Sequence, residues 1–190
     1  MPISDAHRWN KRYQQDVFKT PGSPRSFLVQ NAAHLPEQGL ALDVAMGRGN
    51  NTSFLLERGL KVVGVDISEV AVSCAKGRFP ALMALVADLT HFHFPQRYFD
   101  LIVNFYYLQR DLWPVYQRAL RPGGILVFES LTLDMLEQSP DIDPKYLLAP
   151  GELRCAFQSM QILVYREGWI LDDRGHSRAV ASLVARNTDG

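Results

Sequence analysis

The 190-residue chain has little of several things, and each shortage removes a class of function. It has two cysteines, Cys74 and Cys155, far apart and outside any metal-ligand spacing, so a disulfide framework is not expected and a reducing, cytoplasmic setting is the simplest one. It has no surplus of charge. Twenty basic and twenty acidic side chains give a formal net charge of zero, which argues against a general attraction for nucleic-acid phosphates. No apolar run approaches the ~18 residues of a membrane span, and the start, with Asp5, His7 and Arg8, lacks the apolar centre of a signal peptide. Without repeats or low-complexity tracts, one domain over 1–190 is expected, since domains commonly run ~100 to 200 residues.

What the sequence does contain is concentrated in Leu42-Asp43-Val44-Ala45-Met46-Gly47-Arg48-Gly49-Asn50-Asn51 and Val62-Val63-Gly64-Val65-Asp66-Ile67-Ser68. These read as a buried strand, a glycine turn, a helix over 50–58 and a second buried strand ending in a carboxylate. Gly47 and Gly49 allow positive φ and close approach of a ligand to the main chain, and the helix start offers free N–H groups. Asp66 lies 17 positions past Gly49, close to the interval of ~20 residues at which a carboxylate meets ribose hydroxyls in a doubly wound sheet. A ribose-bearing cofactor is implied.

The dinucleotide fingerprint is incomplete, because Thr52 stands where its third small residue belongs. Asp43, just before the glycines, would repel a pyrophosphate and suit a cationic ligand. S-adenosylmethionine, with its sulfonium and amino groups, fits both departures. A short nicotinamide-dependent oxidoreductase is the disfavoured alternative, lacking also a Tyr-x-x-x-Lys pair.

On these residues the chain resembles the class I S-adenosylmethionine-dependent methyltransferases, whose acid-x-Gly-x-Gly-x-Gly signature stands here as Asp43 to Gly49 with Ala45 for the first glycine. Three further motifs follow in order. Val86-Ala87-Asp88-Leu89 is similar to the family's third strand with its adenine-facing acid, Tyr98 to Asn104 to the fourth strand, and Leu120-Arg121-Pro122-Gly123-Gly124 to the turn into the fifth. Trp9-Asn10-Lys11-Arg12-Tyr13, with Tyr146 to Leu153 and Ile162 to Glu167, resembles a small-molecule branch, the tellurite-resistance and thiopurine type. The implied fold is α/β, Rossmann-like and doubly wound: a mostly parallel seven-stranded sheet with an antiparallel last strand in three αβα layers. The implied activity is methyl transfer to a small soft acceptor of thiol, selenium or tellurium-oxyanion type. A non-catalytic domain that only senses the cofactor is the other reading.

The resemblance implies a cofactor set of Asp43, Ala45, Met46, Gly47 and Gly49 at the methionine end, Asp66 and Ile67 at the ribose, Asp88 and Leu89 at the adenine, and Asn104 from the fourth strand. Trp9 and Arg12 would lie over the cofactor, with residues 1–22 as a lid helix and joint; Trp9 and Tyr13, four apart, could equally just pack that helix. Met46 could be core filler. Acceptor residues are expected at the carboxyl ends of the fourth and fifth strands: Phe105, Tyr106, Tyr107, Arg110, Ser130 and Thr132, with Tyr13 from the lid. Phe105 and Tyr107 could instead be core, because alternate strand residues face opposite sides. No acid or base is assigned as catalytic. His91-Phe92-His93 puts two imidazoles on one face, but too few ligands accompany them for zinc, and no metal is expected.

Along the chain, helices are expected at 4–14, at 23–35 with Leu28, Ala32 and Leu35 on one stripe, and at 152–158. Segment 131–151 reads as an excursion over the site. Strands 160–165 and 178–185 are expected to form a hairpin, with Gly168 outside them.

Overall fold

Alternation along the strands divides the apolar side chains between two cores, one on each face of a single sheet. In β1 (Leu40–Val44), Leu42 and Val44 enter one core and Ala41 the other. In β4 (Phe99–Phe105) and β5 (Leu120–Leu131) the same division sets Ile102, Leu126 and Phe128 against Leu101, Val103, Ile125 and Val127. Strands covered on both faces must be apolar at consecutive positions, which is the pattern of a parallel sheet between helices.

The computed structural model describes residues 3–15, 22–172 and 175–189, with side chains from residue 5 onward. With β2 (Lys61–Asp66), β3 (Met83–Val86), β6 (Gln161–Leu171) and β7 (Ser177–Arg186), the seven-stranded sheet has the order β3-β2-β1-β4-β5-β7-β6. β1 to β5 are mutually parallel, and β7 runs antiparallel to β5 and to β6. α2 (Ser26–Gln30), α3 (Asn50–Glu57) and α4 (Glu69–Arg78) supply Phe27, Leu28, Leu55, Val72 and Ala75 to one core. α5 (Trp113–Ala119) and α6 (Glu152–Ala156) supply Trp113, Tyr116 and Leu153 to the other. This is the expected three-layer, doubly wound fold, and its crossover reverses direction between β1 and β4, where such sheets open a crevice.

α1 (Ile3–Gln14) belongs to neither layer. It is pinned to the start of α4, where Asn10 Oδ1 accepts from the Ser68 hydroxyl at 2.7 Å and from the Val70 amide at 3.3 Å. Among the described residues no helix is long and apolar enough to cross a membrane.

Several local expectations are corrected. Segment 23–35 is not one helix. Asn31 ends α2 by donating its side-chain amide to the Phe27 carbonyl at 2.8 Å, and a separate 3-10 turn, Ala32–His34, follows; short polar side chains that bond nearby backbone compete with helix continuation. Leu28 and Leu35 of the stripe are buried, and Ala32 is half-buried. Gly168, read as a break, lies inside β6 opposite Val180 at φ +140°, so the hairpin is longer than its apolar residues suggest. Segment 131–151 packs Met135 and Leu147 against Ala179 of β7 and lines no part of the hollow described below. Of the joint expected at 20–24, residues 20 and 21 lie outside the described residues.

Candidate active site

A hollow of about 320 Å³ opens where the carboxyl ends of β1, β2 and β4 meet. Its floor is the turn after β1, in which Ala45, Gly47 and Gly49 all have left-handed φ, at +49°, +56° and +76°. At Gly47 a Cβ would fall 2.6 Å from the Tyr13 hydroxyl, so a side chain there would displace that ring as well as strain the turn. Ala45 adopts the same backbone region with a methyl group, a conformation that costs an L-residue roughly 1 to 2 kcal/mol. Met46, 6% exposed, lines the hollow and also packs over Gly64. Gly49 does not line the hollow. A Cβ there would meet Ala75 and Phe79 at 3.3 Å, so this glycine lets α3 pack on α4.

The three acids occupy three different environments. Asp66 and Ile67 line the hollow. The Asp66 carboxylate is locked in place by the Gly47 and Ser68 amides, each donating at 2.8 Å. Burial raises its pKa, and these backbone donors, with that of Ile67, oppose the rise. Asp88 and Leu89 also line the hollow. Burial pushes the Asp88 carboxyl up, but the hydrogen bonds it accepts, those of Thr90 and His91 among them, outweigh burial and hold it down to about 2. Asp43 does not reach the hollow. It sits 1% exposed beneath the turn and accepts the Thr52 hydroxyl at 2.7 Å. Burial pushes Asp43 up to about 7; Thr52 works against this and the nearby Asp66 with it. The residue that spoils the dinucleotide fingerprint is therefore the partner of the residue that precedes it.

The outer wall comes from α1, with Trp9, Arg12 and Tyr13 on the hollow. The Arg12 guanidinium stacks on the Trp9 ring at 5.2 Å, and the Trp9 and Tyr13 ring centroids are 5.9 Å apart. Arg48, between the two glycines, fixes the end of α1 by donating Nη2 to the Tyr13 carbonyl at 2.6 Å. Burial, reinforced by Asp66, raises the Tyr13 phenol well above its usual range, so it remains protonated.

Phe105 at the end of β4 and Tyr106 and Tyr107 just past it all line the hollow. Tyr106 takes left-handed φ of +60°, with its amide donating to the Glu129 carbonyl at 2.8 Å and its hydroxyl to Glu129 Oε1 at 2.9 Å. Glu129, 3% exposed, also accepts from Arg166 at 3.0 Å and Ser182 at 2.7 Å. Arg25 lies 4.6 Å from the Tyr106 ring centroid, and its amide donates to Asn51 Oδ1.

Besides Asp43 and Gly49, four further expected site residues lie elsewhere. Asn104 is buried and gives Nδ2 to the Tyr116 hydroxyl at 3.3 Å. Ser130 is buried within β5 opposite Ala181, and Thr132 is buried next to it in sequence, in a bridge to Leu148. Arg110 has left the site: it forms a two-pronged pair with Glu152 and bonds the carbonyls of Lys145 and Leu147. Conversely, Gly22, Arg25, Arg48, Asn50, Asn51 and Ala87 line the hollow without having been singled out. Arg48 and Asn50 were legible, since they flank a glycine of the turn; Arg25 reaches it only through the fold. Among the described residues no three His, Cys, Asp or Glu side chains gather into a metal set.

Comparison with known proteins agrees with this geometry. Residues 41–124 match a family model described as a methyltransferase domain. A protein of Mycolicibacterium smegmatis named "probable S-adenosylmethionine-dependent methyltransferase" is 27% identical over 170 residues, covering 84% of this chain and 64% of that protein. Trans-aconitate 2-methyltransferase of Acidovorax sp. is 29% identical over 130 residues, 65% of this chain and 50% of that one. The chain thus spans about half to two thirds of the length of these curated relatives. The crystal structure of TehB from Haemophilus influenzae superposes with a TM-score of 0.71 at 17% identity, over 96% of this chain and 66% of that one, a likeness of fold. Over residues 41–124 the chain is thus similar to a methyltransferase domain, and the sheet order sets those residues in the doubly wound fold that the solved structure shares.

Proposed function

We propose that the chain transfers a methyl group from S-adenosylmethionine to a small-molecule acceptor, a soft nucleophile of thiol, selenium or tellurium-oxyanion type. The observation that carries this reading is the convergence of Asp66, Asp88 and the Gly47 turn on one hollow at the switch point of the sheet. The donor set suits the cofactor. Asp66 would hold the ribose: its two backbone bonds orient the carboxylate and leave lone pairs for hydroxyl donors. Asp88 and Leu89 would meet the adenine, and Ala45, Met46 and Gly47 the methionine chain, with Arg12 beside its carboxylate.

The cofactor, when bound, supplies an electrophilic methyl on a sulfur that leaves as a neutral thioether. The chain's task is then to align the acceptor and exclude water rather than to move protons. α1, docked through Asn10 and Arg48, covers one side of the hollow and excludes water there. Phe105, Tyr106 and Arg25 would form the acceptor wall, with the Tyr106 ring held by Glu129. A covered hollow on a chain without net charge supports a small acceptor over a nucleic acid.

Titration calorimetry with S-adenosylmethionine and S-adenosylhomocysteine tests the reading. Absence of binding, with a nicotinamide dinucleotide bound instead, overturns it. Labelled-methyl turnover with thiols, selenite and tellurite then identifies the acceptor; cofactor binding without methylated product across that panel favours a sensor.

A further inference from the structure

Adjacent tyrosines at the end of β4 send their hydroxyls in different directions. Tyr106, in its left-handed turn, delivers its hydroxyl to Glu129 on the β5 side. Tyr107 also lines the hollow, yet its hydroxyl is buried and has no hydrogen-bond partner among the described residues. The nearby Tyr116 hydroxyl is engaged by Asn104. A buried O–H with no partner is rare, because such groups keep their full desolvation penalty, so one in the wall of a ligand cavity calls for a partner on the ligand. The surroundings indicate which part of the ligand. The charges that reach the Tyr107 hydroxyl include those of Asp88 and Asp66, and with burial they keep it a phenol, able to donate. These are the acids at the tips of β3 and β2 that meet the nucleoside in the proposed methyltransferase site.

Resting on that reading, we propose that the Tyr107 hydroxyl donates a hydrogen bond to the nucleoside of the bound cofactor, making Tyr107 a nucleoside-recognition residue and not part of the acceptor wall. A nucleoside offers accepting atoms of two kinds, the purine ring nitrogens and the ribose oxygens, and either answers a lone phenolic donor.

The test is calorimetry of the parent and of Tyr107→Phe with S-adenosylhomocysteine, with its 3-deaza and 7-deaza analogues and with its 2′-deoxy analogue, alongside thermal melting of the ligand-free proteins. Expected is a roughly 5- to 10-fold weaker affinity of the variant for S-adenosylhomocysteine, the range of one neutral hydrogen bond. The ligand-free variant should melt at or above the parent temperature, because a partnerless hydroxyl has been removed. For the analogue that lacks the accepting atom, parent and variant should bind equally, which assigns the bond to ring or ribose. Parental affinity in the variant with a raised acceptor Michaelis constant overturns the assignment, as does an equal loss for every analogue with a lowered melting temperature. If the parent itself fails to bind S-adenosylhomocysteine, the methyltransferase reading falls, and this one with it.

Discussion

Replacing Asp43 with asparagine should remove a pH dependence of stability that the buried carboxyl imposes. In the native protein Asp43 is 1% exposed, and burial holds its proton up to about pH 7; in the unfolded chain the proton leaves near 3.9. Between those values the native state binds more protons than the unfolded state, so stability falls as pH rises, is whole below about 4 and is lost above about 7. Each unit of difference is worth about 1.4 kcal/mol, so three units bound the effect at roughly 4 kcal/mol, and about 2 to 3 kcal/mol should fall between pH 4.5 and 7.5. Asparagine keeps the shape and the oxygen that accepts the Thr52 hydroxyl, without the titration. Urea unfolding of both proteins at several pH values and constant ionic strength measures the difference by linear extrapolation. Asp66 titrates in both, so it largely cancels. The Asp43→Asn protein should gain on the parent by that amount as pH rises, with unchanged m-value. Parallel curves would refute the reasoning and mean that water or a cation reaches Asp43.

Ala45→Gly should stabilise the protein by about 0.5 to 1 kcal/mol, the relief of left-handed strain at φ +49° less the entropy of an added glycine, while Ala45→Val should destabilise it; melting temperatures shifting in the reverse senses would show that the turn is not strained. Asp66→Ala should weaken S-adenosylhomocysteine binding about 10- to 150-fold, and because it also strips the acceptor from two amides it should cost about 1 to 3 kcal/mol of stability. Calorimetry and urea unfolding read the two separately, and a stability loss with parental affinity would remove Asp66 from the site. Arg110→Ala should leave S-adenosylhomocysteine affinity unchanged and cost no more than about 1 kcal/mol, since its partner Glu152 is on α6 and the pair is half-exposed; a tenfold affinity loss would return Arg110 to the hollow.

What could be read from the sequence was what depends on local chain geometry. Glycines after a buried strand, and acids just past the tips of strands, have nearly fixed positions in a doubly wound sheet, so Gly47, Asp66 and Asp88 fell on the hollow. The misplacements within strands share a cause, the two faces of a strand. Asp43 lies one position from residues that enter the opposite core, so it meets Thr52 beneath the turn. Ser130 is buried opposite Ala181, whereas its neighbour Glu129 reaches Tyr106 and Arg166. Arg110 lies five residues past β4, far enough for the chain to turn toward Glu152. Arg25 lines the hollow with its amide bonded to Asn51, 26 positions away, a contact with no local signal.

The position of β7 has a consequence for how the molecule is made. As the last strand in chain order it is nonetheless interior to the sheet, its backbone shared between β5 and β6. During vectorial synthesis, when amino-terminal parts fold first, β5 must wait with a bare apolar edge and β6 with nothing to join, until the ribosome has delivered residue 186. A nascent chain stalled in the β6–β7 turn would thus expose ladder groups that invite pairing with another chain, which makes the moment of β7 insertion the point at which this protein is most open to aggregation or to a chaperone.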